Sequence, residues 1–135
     1  MKRTLLVLAA LLLVPVLPAE ARSDDRNQKP SVRIGRITES FAEPGGNREF
    51  KIPIRAVDPD GYVSEIAVDF GDGVVLFMLL ICDETAPPGT PVNQEITWSY
   101  APGKYTVHAQ AYSTPRCYEG EFQDSKFDKA KLRVR

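Results

Sequence analysis

Beyond residue 30, apolar and polar residues alternate with a period of two over much of the chain. The run "EFKIPIRAV" sets Phe50, Ile52, Ile54 and Ala56 on one face and Glu49, Lys51, Pro53 and Arg55 on the other. Successive side chains of a strand point to opposite faces, so this pattern predicts a half-buried strand. Pro53 cannot donate to a ladder and points to an edge position. "EIAVDF" gathers Ile66, Val68 and Phe70 on one face. "KYTVHAQAY" sets Tyr105, Val107, Ala109 and Ala111 against Thr106, His108, Gln110 and Tyr112, and "KAKLRVR" sets Ala130, Leu132 and Val134 against Lys129, Lys131, Arg133 and Arg135. Turn signals lie between these runs: "DPDG" at 58–61, "GDG" at 71–73, "APPGTP" at 86–91 and "APG" at 101–103. Glycine supplies positive φ there and proline presets the turn. No helical period competes after residue 21, so the fold class is all-β, a sandwich of short antiparallel strands.

One stretch breaks the alternation. Val74 to Ile81, "VVLFMLLI", is apolar at every position. A strand in a sandwich needs only one apolar face for the core. Either Val74, Leu76, Met78 and Leu80 or Val75, Phe77, Leu79 and Ile81 are therefore left over. Two readings stay open. The Pro-rich loop 83–92 or the tail 22–30 covers the surplus face, or that face is a dimer or partner interface. Phe77, Leu79, Leu80 and Ile81 are the candidate partner residues.

The first 21 residues have a different character. Lys2 and Arg3 precede the apolar run Thr4 to Leu17, and Ala19-Glu20-Ala21 is a small-x-small cleavage site. That order is a secretory signal peptide, with cleavage expected after Ala21. The apolar run of 14 residues is shorter than the ~20 a membrane span needs, so no stable membrane insertion is expected. Cleavage leaves 114 of the 135 residues, with 15 basic and 17 acidic side chains. That is one domain of ordinary size, and its charge does not favour nucleic acid. Residues 22–30, "RSDDRNQKP", read as a flexible linker, and 31–135 as the domain. In an exported chain the even pair Cys82 and Cys117 points to a disulfide.

"AVDPDGYVSEIAVDFGDG", followed after a gap by "ITWSYAPGKYTVHAQAY", resembles the PKD (polycystic kidney disease) domain. The matching residues are Asp58, Asp60 and Gly61, then Asp69 to Gly73, then Tyr100, Pro102, Gly103, Tyr105 and Val107. The resemblance runs from about Ser31 to Arg135. It implies an immunoglobulin-like sandwich of about seven antiparallel strands, extracellular and without catalysis. In that family Asp69, Gly71, Asp72, Gly73, Pro102, Gly103 and Tyr105 form turns, and the strand after "GDG" commonly lies at a sheet edge. Val68 stands where the family usually has Trp, so Trp98 or Phe70 is expected to fill that space.

Hairpin connections alternate ends of a sandwich. Cys82 and Cys117 then meet at the end that holds Asp58 to Gly61, while "GDG" and "APG" face each other at the opposite end. The same placement collects Asp58, Asp60, Asp83, Glu84, Glu119, Glu121 and Asp124. Calcium takes six to eight oxygen ligands, so Asp58, Asp60, Asp83 and Asp124 are candidate calcium ligands beside the plainer reading of exposed acidic loops. The Asp-Phe-Gly triplet at 69–71 has no glycine-rich loop, strand lysine or His-Arg-Asp loop before it, which excludes a kinase. An EF-hand fails because Val74 to Ile81 supplies no oxygen side chains. His108 reads as a sheet-surface residue rather than a catalytic base. The expectation is a secreted, non-catalytic binding or interaction module with a protein or carbohydrate partner and no cofactor unless calcium. Its alternatives are a calcium-stabilised spacer or adhesion subunit, and an accessory protein to an extracellular hydrolase acting in trans.

Overall fold

The computed structural model describes residues 28–135. The expected signal peptide and residues 22–27 of the expected linker lie outside the described residues. The strands are β1 (Ser31–Ile34), β2 (Thr38–Ala42), β3 (Arg48–Val57), β4 (Tyr62–Asp69), β5 (Val75–Leu79), β6 (Val92–Tyr100), β7 (Gly103–Thr114), β8 (Gln123–Asp124) and β9 (Asp128–Val134). The described residues contain no helix, and the strands form two antiparallel sheets packed face to face, a β-sandwich.

One sheet centres on β3. It pairs along its length with β6 on one side, Arg48 opposite Tyr100 through Ala56 opposite Val92. β1 and β2 follow one another along its other side. The other sheet runs β5, β4, β7, with β8 and β9 following one another beside β7. β3 is thus a central strand, not the edge strand that Pro53 suggested. The reason lies in its neighbour. Between β1 and β2 the ladder lapses at Gly35 to Ile37, and Pro53 stands opposite that lapse, accepting there from the Gly35 N–H (2.8 Å). The N–H and C=O of a strand residue face the same side. The donor that proline lacks therefore points at the lapse and not at β6.

The core is the sum of the alternating faces. Phe50, Ile52, Ile54, Ala56, Ile96 and Tyr100 come from the β3 sheet. Ile66, Val68, Phe70, Val107, Ala109, Ala111 and Val134 meet them from the other. Val68 is fully buried, and Phe70 stacks on Trp98 across the sandwich with ring centroids 4.0 Å apart and planes 3° from parallel. Two aromatic rings from facing sheets thus fill the end of the core where the strand itself offers only Val68. Offset or stacked pairs of this kind add about 0.5–1.5 kcal/mol beyond the area they bury.

Cys82 and Cys117 form a disulfide, with Cα atoms 5.5 Å apart and 35 residues of separation. It ties the segment leaving β5 to the segment leaving β7. Closing a loop of that length restricts the unfolded chain by about 3–4 kcal/mol in the chain-entropy view. The double variant Cys82→Ser/Cys117→Ser should accordingly lose about 3–4 kcal/mol in urea unfolding at unchanged native far-UV CD. A loss below about 1 kcal/mol would show that the ends of β5 and β7 are already held by other contacts.

Candidate functional site

Among the described residues β5 lies at the edge of its sheet, paired only with β4. Val75, Phe77, Leu79 and Ile81 face outward, with Phe77 61%, Leu79 79% and Ile81 97% exposed, and Val74 and Leu76 of the other set are themselves left 43% and 36% exposed. Met78 packs partly against the core and Leu80, only 7% exposed, is part of it. Leu80 is therefore a core residue and leaves the candidate partner face, which is instead completed by Val75. Parity explains this: Leu80 continues the inward register of Met78, and its N–H donates to the Ser64 carbonyl at 2.9 Å.

The described segments that could have covered this face go elsewhere. The Pro-rich loop folds over the β3–β4 turn, where the Gly89 N–H donates to Gly61 O (3.1 Å) and the Tyr62 hydroxyl to Ala86 O (3.2 Å). The described end of the tail also runs away from β5. The Gln28 N–H donates to the Asp60 carboxylate at 2.8 Å, and Lys29 Nζ lies 4.0 Å from Asp124.

Sequence reasoning missed the clamp at the far end of β5. The Tyr118 hydroxyl donates to the Leu80 carbonyl and accepts from the Cys82 N–H at 3.0 Å. Tyr118 takes a left-handed backbone conformation, φ 57°, directly after the disulfide half Cys117. A tyrosine beside a half-cystine is the one signal that could have pointed to it. The edge strand is held at this end by a covalent bond and by two hydrogen bonds, one given and one accepted by the Tyr118 hydroxyl.

The turns of the family resemblance occupy the other end. Asp69 accepts from the Gly71 N–H (2.8 Å) and Asp72 from the Val74 N–H (3.1 Å), so each aspartate caps its own turn. Asp72 also accepts from the Trp98 indole at 2.9 Å, which orients the ring that stacks on Phe70. Gly71 has φ +78°, and a Cβ on it would stand 2.5 Å from the Thr106 carbonyl oxygen, so only glycine fits between the turn and β7. Tyr100 donates to Phe70 O (3.2 Å), and Tyr105, beside Pro102 and Gly103, donates to Ala101 O (2.9 Å). Burial, with the nearby Asp72 charge, pushes the Tyr100 hydroxyl well above its ordinary pKa, so it stays a donor. These residues build a corner of the fold, and the side chains of Asp69, Asp72, Trp98, Tyr100 and Tyr105 all bond within the chain.

The four candidate calcium ligands do not converge. Asp58 accepts from the Asp60 N–H (3.3 Å), and Asp60 is taken by Gln28. Asp83 caps the Thr85 N–H at 2.9 Å, and Asp124 accepts from the Gln110 amide at 3.2 Å. Among the described residues no three of His, Cys, Asp or Glu are grouped so as to hold a metal ion. The Thr85 hydroxyl and N–H hold the exposed Asp83 carboxyl below its ordinary pKa. His108 stands in register between Asp69 of β4 and Lys129 of β9, with Phe127 edge-on at 6.4 Å. Those four side chains line a shallow hollow of about 500 Å³ on the outer face of the sheet.

No protein-family model matches the chain, and no curated protein or solved structure matches it either.

Among the described residues Asp58 is the one buried carboxyl, packed against Gly61, where a Cβ would lie 2.6 Å from its Oδ2. Burial raises its pKa above the ordinary value, and the Asp60 carboxyl adds to the rise. A raised folded pKa means the folded chain holds this proton more tightly than the unfolded chain. Asp58 therefore costs stability above its raised pKa, and the cost is absent below the ordinary carboxylate range near about pH 4. Asp58→Asn keeps an acceptor for the Asp60 N–H without a charge to desolvate. It should melt above wild type at pH 7 and lose that margin as the pH falls to about 4. If it melts below wild type at pH 7, the hydrogen bonds of the carboxylate outweigh its desolvation.

Proposed function

We propose that this chain is a secreted, non-catalytic interaction module of the cell exterior, built on the plan of a PKD-like, immunoglobulin-like sandwich, that binds a protein through the open edge of β5. The observation that carries this reading is the unguarded edge. A five-residue strand without a charge, a proline or a bulge exposes Phe77 and Leu79 at a sheet boundary. Edge strands of soluble proteins are normally blunted by one of those devices, because their free N–H and C=O groups pair with other chains. A partner that docks there supplies a backbone of its own, which favours a polypeptide over a carbohydrate.

Compartment and chemistry agree with it. A formed disulfide suits an oxidising environment, and among the described residues no helix is long and apolar enough to cross a membrane. The conspicuous carboxylates are each engaged with a donor of their own chain, which leaves them structural work rather than acid–base work. The resemblance to PKD domains rests on the turn residues Asp69 to Gly73 and Pro102 to Tyr105, which here hold one end of the sandwich together.

The chain from residue 22 onward, immobilised and exposed to culture supernatant, should retain a protein that the variants Phe77→Lys and Leu79→Lys retain at least about tenfold less, while a glycan array stays blank. Both side chains are exposed, so the variants should fold as wild type does. Equal retention by wild type and both variants, or binding confined to glycans, would overturn the assignment of the binding face.

A further inference from the structure

The free side of β5 has a defined hydrogen-bonding parity. The Phe70 N–H donates to Val74 O (3.1 Å) and the Leu80 N–H to Ser64 O (2.9 Å). These contacts share one register with the pairs Val68–Leu76 and Ile66–Met78. In an antiparallel ladder, residues alternate between facing the partner strand and facing away from it. The even residues of β5 therefore bond to β4. The N–H and C=O groups of Val75, Phe77 and Leu79 point to the open edge, and the same three residues carry the outward apolar side chains.

This arrangement is self-complementary. We infer that the occupant of the β5 edge is a second copy of this chain, paired antiparallel about a two-fold axis through Phe77; the inference rests on the open-edge reading above. Phe77 then faces Phe77 of the second copy, and Val75 faces its Leu79 in both directions. Each of these three pairs exchanges two backbone hydrogen bonds, so all six free groups of the edge are satisfied. On the outer face the pairing lays aromatic on aromatic and Val on Leu, the cross-strand combinations that stabilise sheets. On the other face it brings Leu76 opposite Met78 of the second copy. Both of these side chains are incompletely covered in the single chain.

Three other edges among the described residues show the contrast. β9 turns Lys129, Lys131 and Arg133 outward, β6 carries Glu95 in an ion pair with Lys51 (3.2 Å), and β2 is bulged between Glu39 and Phe41. Two β9 edges, or two β2 edges, would meet with like charges or broken register. Of these four edges, β5 is the one that offers matched groups to its own copy. A closed two-fold contact also uses up the edge, so that assembly stops at the dimer.

Sedimentation equilibrium of the wild-type chain should show a dimer at micromolar concentrations. Phe77→Lys sets two ammonium groups opposite each other at the axis and should weaken association at least about tenfold. The register has its own readout. A hydrogen-bonded antiparallel pair has Cα atoms about 5.5 Å apart, within reach of a short bis-maleimide. Phe77→Cys should therefore cross-link to itself through that reagent. Val75→Cys should not, yet it should cross-link to Leu79→Cys when the two are mixed. A wild type that remains monomeric at about 100 μM, some hundredfold above the association expected, overturns the dimer. Self-linking of Val75→Cys as readily as Phe77→Cys overturns the pairing about Phe77. If the wild type is monomeric while lysine-sensitive capture of another protein persists, the dimer falls and the open-edge binding module stands. If capture and association are both insensitive to lysine, both fall.

Discussion

A pleated strand has two faces, and a two-sheet sandwich has one interior. Every strand in this molecule can bury one face there, and what it does with the other decides its character. β3 and β7 follow the constraint closely. Their inward residues Ile52, Ile54, Val107 and Ala109 are buried, and most of their outward residues are polar or charged, such as Glu49, Lys51 and Arg55 of β3 and Lys104 and Thr106 of β7. β5 breaks it. With an apolar residue at each position it has more hydrophobic surface than the interior can accept, and because it is last in its sheet no adjoining strand shields the remainder. The surplus is thus a consequence of position as much as of composition. The same sequence in the middle of the sheet would still leave an apolar outer face, but its backbone groups would be paired.

The two ends of the sandwich are secured by different means. At one, short-range polar chemistry does the work: Asp69 and Asp72 cap a tight turn, Asp72 reaches across to the Trp98 indole, and Tyr100 closes on the Phe70 carbonyl. The Phe70–Trp98 stack places the two sheets in contact at the point where Val68 alone would leave a gap. At the other end the link is covalent, and Tyr118 joins the strand exit to the disulfide. Both devices act on the strands flanking the turn that leads into β5. The least satisfied strand of the molecule is thereby bounded on each side by its most constrained segments.

What the sequence made legible follows from the range of the forces involved. Alternation is a local property, so the inward faces of β3, β4, β7 and β9 could be read directly, as could the turns between them. The disulfide was legible because hairpins alternate ends, which turns a long-range contact into a count of reversals. Pro53 misled because its meaning depends on a neighbour 18 residues upstream: a missing donor signals an edge only if the adjoining strand is continuous, and here it lapses at Gly35 to Ile37. Leu80 was misplaced among the outward residues because an all-apolar run carries no information about its own parity. The ladder contact to Ser64 supplies that information, and it is a tertiary fact. The acidic residues misled in another way. Sequence order brought them to one end of the fold, but Asp58, Asp60, Asp83 and Asp124 each find a donor within a few residues or on an adjacent segment. Among the described residues they are not grouped closely enough to share an ion.

The presence of partners within the chain separates the surfaces that could act from those that only hold the fold together. Asp58, Asp60, Asp83 and Asp124 each accept a hydrogen bond from a donor of the same chain. On the β5 edge the free amides and carbonyls of Val75, Phe77 and Leu79 face outward and need a second strand. Pairing such an edge is opposed by the entropy of ordering it. Here β5 contributes little of that cost, in this chain as in a second copy. β5 is already fixed along one side by β4, at its start by the capped turn at Asp72 and at its exit by Tyr118 and the disulfide. An edge held straight and open in this way is pre-organised for addition of a strand, whereas a frayed edge would lose much of the same contact energy in becoming ordered.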